Sequence, residues 1–256
     1  MNSRGLSLLS IVVVLCFSCS GLLLPELALA QEPTASAKSL TRLLEEHYHQ
    51  PRTLQAVFLE RYSQGQRQVR LESGTVYFRR PGQMRWEYES PEKKLFLVDG
   101  KTTWFYVPYD HTVTKAPVKE SSDWRTPLVL LTGKADLSRL CRQIDVISQS
   151  GIPRGHEVLR CLPKEGKEAR RASGPDAAQS EQGFVGQSDY MEVLLEVDAS
   201  TGELARIDIR QPGDIELEYR FGDWQADVPL AADLFRFQIP AGVAIVDGSA
   251  LFQAPQ

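Results

Sequence analysis

Residues 74–108 read GTVYFRRPGQMRWEYESPEKKLFLVDGKTTWFYVP and decide the fold of this chain. Apolar and polar residues alternate on both sides of the break at Pro81-Gly82. Strict alternation is typical of antiparallel strands with one apolar face and one solvated face. The apolar face is rich in aromatic residues, which indicates a concave apolar surface and a carrier or binding protein. Its members are Val76, Phe78, Met84, Trp86 and Tyr88.

The rest of the chain extends this pattern into a single sheet. Asp99-Gly100 predicts a tight hairpin turn, and Gly65 is the centre of an earlier turn. The total is about ten strands, which is within the usual range of sheet sizes. The other predicted strands are 54–62, 68–80, 96–99, 103–107, 112–118, 144–148 and 157–162, followed by alternating segments that begin at Met191, Leu204, Ile215 and Phe235.

Short helices are predicted between the strands. Residues 39–50 carry apolar residues at helical spacing, with Ser39 as the N-cap and Pro51 as the terminator. Residues 124–132 and 136–141 predict two further short helices. A sheet of this size curls and needs helices over its apolar side. The expected fold is mainly β with some α: one antiparallel, strongly curved sheet partly covered by short helices.

The first thirty residues predict a secretory signal peptide. Arg4 supplies a short positive region, residues 6–24 are apolar, and small residues stand at Ala28 and Ala30. Cleavage is expected after Ala30, which leaves residues 31–256 as one domain. Retention of this segment as a membrane anchor is the alternative. The sequence around Cys16 and Cys19 fits a lipoprotein-processing signal poorly.

Charge and composition exclude several classes of function. The 256-residue chain has a formal net charge of −4, and removal of residues 1–30 takes away Arg4 and Glu26 and leaves that balance unchanged. We therefore expect no nucleic-acid partner. Beyond the first thirty residues, no segment is long and apolar enough to suggest a membrane-spanning helix. The domain is large enough for a substantial core.

Two cysteines remain after cleavage, at Cys141 and Cys161. Export to an oxidising compartment favours a disulfide between them, and two separate buried thiols are the alternative. Either interpretation makes them structural. Residues 163–189 are rich in Gly, Ser, Ala, Gln and charged residues, which predicts a long mobile loop.

The sequence offers no positive sign of catalysis or of a cofactor. Its four histidines show no metal-ligand spacing, and His47 and His49 do not share a helix face. A glycine-rich phosphate loop and a nucleophile motif are also missing. We expect neither a metal site nor an enzyme.

Arg80 is unusual because it continues the apolar face of Val76 and Phe78. An arginine in that position is costly unless its donors find partners. One interpretation is that Pro81 ends the strand and the side chain extends outward to water. The other is that Arg80 bonds to carbonyls or a carboxylate of a covering helix and acts as a latch.

The stretch from Gly74 to Val118 closely resembles the LolA family of periplasmic outer-membrane lipoprotein carriers. The shared features are Arg80-Pro81, the Arg-Trp-Glu-Tyr strand at 85–88, Asp99-Gly100-Lys101-Thr102 and Trp104-Phe105-Tyr106. Thr126-Pro127-Leu128 is similar to the lid helix of the family, and residues 235–247 are similar to its C-terminal signature. The resemblance covers about Leu40 to Asp247. It is weak around 141–189, where the cysteine pair and the long loop depart from the family pattern.

The resemblance implies an incomplete β-barrel whose helices form a lid over a hydrophobic cavity. Arg80 matches the arginine that bonds to the lid in the family. The implied partners are acylated lipoproteins, an inner-membrane lipoprotein-releasing ABC transporter and an outer-membrane acceptor, with the carrier a periplasmic monomer. The residues expected around the acyl chains are Leu43, Val76, Phe78, Met84, Trp86, Tyr88, Leu128 and Leu131.

Two other classes of function stay open. A related half-barrel can sense mislocalised lipoproteins or bind lipid for regulation, although the sensing relatives usually carry a second domain. A periplasmic hydrolase would need a nucleophile beside a base, and the sequence shows no such arrangement.

Overall fold

A twelve-stranded sheet organises the part of the chain that the computed structural model describes, which is residues 36–65, 67–118, 131, 136–164 and 192–248. The expected signal peptide and most of the expected helix at 124–132 lie outside these residues. The same holds for residues 165–189 of the expected loop. Pro163, expected to open that loop, is instead the last residue of a strand.

The described elements are mostly strands, with few helices. Helix α1 is Ala37–His49, helix α2 is Leu137–Leu140, and Ala232–Phe235 forms a 3-10 helix. The strands are β1 Thr53–Gln64, β2 Arg67–Arg79, β3 Gln83–Ser90, β4 Lys94–Val98, β5 Thr102–Val107, β6 Thr112–Pro117, β7 Cys141–Ile147, β8 His156–Pro163, β9 Glu192–Asp198, β10 Leu204–Gln211, β11 Ile215–Ala226 and β12 Ala244–Asp247.

The strand order is β12-β6-β5-β4-β3-β2-β1-β11-β10-β9-β8-β7, and β12 and β7 form the two edges of a sheet that does not close. Neighbouring strands are antiparallel except for β12, which pairs in parallel with β6. The mainly β, antiparallel-dominated fold is therefore confirmed. The expected count of about ten strands was low. Strand β12 was missed because its four residues are all exposed and show no alternation.

One face of the sheet, called the inner face below, carries the apolar core. The register places Phe78 opposite Leu54 on one side and Met84 on the other, and Trp86 lies opposite Val76 and Phe96. All these side chains are buried. The strict alternation in residues 74–90 therefore places Phe78, Trp86 and Tyr88 on one buried face, as the sequence predicted.

Helix α1 packs into the same core through Leu40, Leu44 and Tyr48. Its N-cap is Ser36, whose Oγ accepts a hydrogen bond from the backbone N–H of Ser39. The prediction of Ser39 as the N-cap was wrong by one turn. The apolar spacing begins at Leu40, but the helix extends three residues further toward the N-terminus, where a serine caps it equally well.

The segment after β11 covers the opposite, outer face of β2 to β5. Arg79 Nη2 donates hydrogen bonds to the carbonyl oxygens of Leu230 and Ala231, and its guanidinium lies 4.7 Å from the ring centroid of Phe235. The ring of Phe237 packs 5.3 Å from that of Trp104. The alternation at 235–239 predicted a strand, and this prediction was wrong. Phe235 and Phe237 alternate because both contact the outer face, and they do not belong to a hydrogen-bonded strand.

Within the described residues, no helix combines the length and the apolar character needed to cross a bilayer.

Candidate functional site

The centre of the inner face is a cluster of aromatic rings contributed by four strands. Trp86 lies at its centre, with ring-centroid distances of 4.8 Å to Phe58 and 5.3 Å to Tyr219. Phe78 and Phe221 lie slightly farther away, at 6.2 Å and 6.1 Å. Edge-to-face packing of this kind gives a continuous apolar surface with little polar character.

The residues expected around acyl chains occupy this surface. Val76, Phe78, Met84, Trp86 and Tyr88 are all buried on the inner face, and Leu131 belongs to the same core. Leu43, on α1, is half-buried, and Leu128 lies outside the described residues. The structure thus brings the described members of the set together in one core, with the exception of Leu43.

An open groove lies elsewhere, between α1 and the start of β7. It has a volume of about 1030 Å³ and is lined by Ala37, Thr41, Cys141, Ile144 and neighbouring polar residues. None of the described residues that we expected around acyl chains lines it. This groove and the aromatic cluster around Trp86 therefore share no lining residue.

A polar cluster marks one end of the inner face. The buried carboxylates of Glu60 and Glu72 lie opposite each other on β1 and β2. Glu60 accepts hydrogen bonds from Tyr88 Oη at 2.8 Å and from Arg70 at 3.3 Å, and Glu72 pairs with Arg70 and Lys94. Sequence reasoning missed this cluster. The sequence feature that could have indicated it is the position of Glu60, two residues after Phe58 and therefore on the same apolar face of the strand.

Arg80 lies one residue beyond the end of β2, where its backbone N–H donates to the carbonyl of Arg52 at 3.1 Å. Its Nε and Nη2 atoms are buried and have no hydrogen-bond partner among the described residues. Burial lowers the pKa of Arg80, and nearby Asp227 partly opposes that shift. Two of the guanidinium nitrogens are thus shielded from water.

Helix α1 is seated against the turn between β9 and β10. Tyr48 Oη accepts the backbone N–H of Leu204 at 2.9 Å, and His47 Nδ1 lies 2.9 Å from the carbonyl oxygen of Thr201. Burial raises the pKa of Tyr48 well above its ordinary value. At Gly202 the backbone comes so close to Leu43 that an added Cβ would lie 2.6 Å from the Leu43 carbonyl oxygen. Hydrogen bonds of two side chains and a close backbone approach therefore hold α1 against this turn.

The disulfide between Cys141 and Cys161 lies at the far edge of the sheet and joins β7 to β8. Both cysteines are buried in the core. Next to it, the Glu45 carboxylate on α1 accepts the backbone N–H of Leu137 at 2.7 Å, which caps α2. These contacts tie the first helix to the segment that precedes β7.

The outer face of β8 to β11 and β1 carries a network of ion pairs. Glu218 pairs with Arg61 at 3.1 Å and Arg220 at 2.9 Å, and Arg206 pairs with Asp208 at 3.3 Å. Burial raises the pKa of Asp208 to about 6, although Arg206 opposes the shift. Within the described residues, no group of three potential ligands is placed to hold a metal ion.

The sequence of this chain is similar to those of known carrier proteins. The family model described as outer membrane lipoprotein carrier protein LolA matches residues 49–154. An outer-membrane lipoprotein carrier protein from Xanthomonas campestris pv. campestris (strain B100) is 30% identical over 174 residues, which cover 68% of this chain and 71% of that protein. This chain belongs to the LolA family. Its LolA-family relatives also include a carrier protein of the same description from Nitrosomonas europaea, 27% identical over 70% of this chain and 74% of that protein.

Among solved structures, this LolA-family chain is similar to an uncharacterized conserved protein from Thermus thermophilus. The TM-score is 0.49 and the identity is 11%, over 82% of this chain and 98% of that one.

Proposed function

We propose that this protein is a periplasmic carrier that binds the acyl chains of lipoproteins released from the inner membrane and delivers them to an outer-membrane acceptor. The observation that carries the proposal is the apolar, aromatic inner face of an open sheet, centred on Trp86. Membership of the LolA family supports it, because the relatives are named as outer-membrane lipoprotein carriers.

The closed core limits how tightly cargo is held. Each CH₂ group taken out of water contributes about 0.8 kcal/mol, so complete burial of several acyl chains would contribute tens of kcal/mol. A carrier that bound so tightly would not release its cargo. In this protein the acyl chains must displace contacts that Leu40, Leu44 and Tyr48 of α1 already make in the core. Opening therefore opposes binding and keeps the net affinity moderate.

Arg80 is the proposed latch of the closed state. Its buried Nε and Nη2 atoms retain hydrogen-bonding capacity beyond the described residues. Backbone carbonyls of a lid helix at 124–132 would satisfy these donors in the closed protein. Loss of those bonds on opening would make closure favourable again once the cargo has left.

The proposal places the protein between two membranes. A signal peptide at residues 1–30 delivers it to the periplasm, where it works as a monomer and needs no cofactor. An ABC transporter complex in the inner membrane loads it, and an acceptor at the outer membrane receives the lipoprotein.

Native mass spectrometry tests this function. The mature protein is purified from the periplasm with and without a co-expressed lipoprotein, and with that lipoprotein carrying a substitution of its acylated cysteine. The proposal predicts a one-to-one complex that requires the acylated cysteine. Recovery of free phospholipid alone would contradict the carrier role and favour a lipid sensor, and an empty protein under every condition would contradict both.

A further inference from the structure

The structure describes three tryptophans, and two of them have a partner for the indole N–H. Trp104 Nε1 donates to Asp99 Oδ2 at 3.1 Å, and Trp224 Nε1 donates to the carbonyl oxygen of Leu204 at 2.9 Å. Trp86 differs. Its side chain is only 1% exposed, and no described residue accepts a hydrogen bond from its Nε1.

An unpaired donor in such a place calls for an explanation. Buried polar groups are normally hydrogen-bonded, because a donor removed from water without a partner destabilises the fold. A phenylalanine at position 86 would offer a similar ring without that donor. The rings around Trp86 belong to Phe58, Phe78, Tyr219 and Phe221, and none of these residues accepts a hydrogen bond from its Nε1.

The chemistry of an acyl chain fits this donor. An indole N–H donates only, and the carbonyl oxygen of an acyl ester or amide accepts only. Such a carbonyl stands at the head of every acyl chain, where the apolar tail ends. A tail that packs along the inner face brings this acceptor into a surface made mostly of carbon atoms.

We infer that Trp86 donates its indole N–H to an acyl carbonyl oxygen of the bound cargo, and so selects carbonyl-linked chains. This inference rests on the proposed carrier function and extends it from apolar burial to recognition of the acyl linkage. Because Trp86 is almost completely buried in the closed protein, the bond forms only after the cover of the inner face has moved. The unpaired donor of the closed state thus becomes a paired donor in the loaded state.

Nuclear magnetic resonance tests the bond directly. The ¹⁵N-labelled mature protein is titrated with a short-chain diacyl phosphatidylcholine and, separately, with the diether analogue of the same chain length, which lacks both carbonyls. The Trp86→Phe variant assigns the Trp86 indole resonance. We expect the diacyl lipid to move this resonance downfield and the diether lipid to leave it without that shift.

Affinities give a second measurement. A neutral hydrogen bond is expected to favour the diacyl lipid by about five-fold in the wild type. That preference should vanish in Trp86→Phe and persist in Trp224→Phe, because the indole N–H of Trp224 is already bonded to Leu204.

The possible results distinguish failure of the Trp86 hydrogen bond from failure of the carrier function. Binding of both lipids with equal affinity and no downfield shift of the Trp86 resonance would overturn the inference and leave the carrier function standing. If the protein binds neither lipid and also fails to bind native lipoprotein, both the inference and the carrier function are overturned. The titration of the wild type decides the question even if Trp86→Phe does not fold.

Discussion

Substitution of Gly202 by alanine tests how helix α1 is seated on the inner face. Gly202 has a φ of +79°, and a Cβ there would lie 2.6 Å from the carbonyl oxygen of Leu43. Ordinary contacts begin near 3.4 Å, so the turn and the helix must separate by about 0.8 Å, the difference between 3.4 and 2.6 Å. That movement strains the hydrogen bonds of His47 and Tyr48, which bridge the same two elements.

Gly213 is a matched control. Its φ is +81°, and nothing lies within 4 Å of an added Cβ, so Gly213→Ala carries only the cost of the left-handed backbone. That cost is about 1–2 kcal/mol. Overpacking adds about 1–3 kcal/mol, so Gly202→Ala should lower the free energy of unfolding by that much more than Gly213→Ala. Urea denaturation of both variants measures the difference. Equal losses in the two variants would refute the proposed seating of α1.

Three further predictions concern the latch, the disulfide and the outer face. Arg80→Leu should leave the fold intact and trap lipoprotein on the carrier in a reconstituted transfer assay, and wild-type rates of handover would contradict the latch. Joint substitution of Cys141 and Cys161 by alanine should lower the free energy of unfolding by about 3 kcal/mol, because the crosslink closes a loop with a sequence separation of 20. An unchanged denaturation midpoint would be inconsistent with a stabilising role of the disulfide. The pKa of Asp208 is raised to about 6, so the native state binds more protons than the unfolded state. The free energy of unfolding of the wild type should therefore fall by about 3 kcal/mol as pH rises from about 4 to 6. Asp208→Asn should flatten this pH dependence. If the same decrease in stability persists in Asp208→Asn, another titrating group causes it.

The sequence predicted those elements whose local pattern and tertiary environment agree. In residues 74–107 the alternation, the Asp99-Gly100 turn and the burial all point to the same antiparallel strands. Asp99 even supplies the turn with its own acceptor, since its carboxylate bonds the backbone N–H groups of Lys101 and Thr102. Helix α1 was also predicted, with only its first turn misplaced.

Long-range contacts explain the features that the sequence did not reveal. The segment around Phe235 alternates like a strand, but Arg79 and Arg85 hold its backbone carbonyls against the outer face. The buried pair of Glu60 and Glu72 depends on Arg70 and Lys94, which approach only when the four strands β1 to β4 are in register. A local sequence pattern does not reveal contacts between residues that are distant in the sequence.

The unpaired indole of Trp86 is likewise visible only in three dimensions. Its position on the apolar face was predictable, but the fate of its N–H depends on which acceptors the neighbouring strands bring close. Trp104 and Trp224 have the same side chain and find partners, one in a turn and the other in the first residue of β10.

Site-specific photocrosslinking tests the central claim most directly. A photoreactive amino acid is placed at Tyr88, on the buried inner face, or at Leu59, which is exposed on the outer face of the adjoining part of the sheet. A lipoprotein with its acyl chains is then loaded onto each variant and irradiated. The account predicts a crosslink to the acylated lipoprotein from position 88 and none from position 59. A crosslink from position 59 alone would show that the cargo binds outside the inner face.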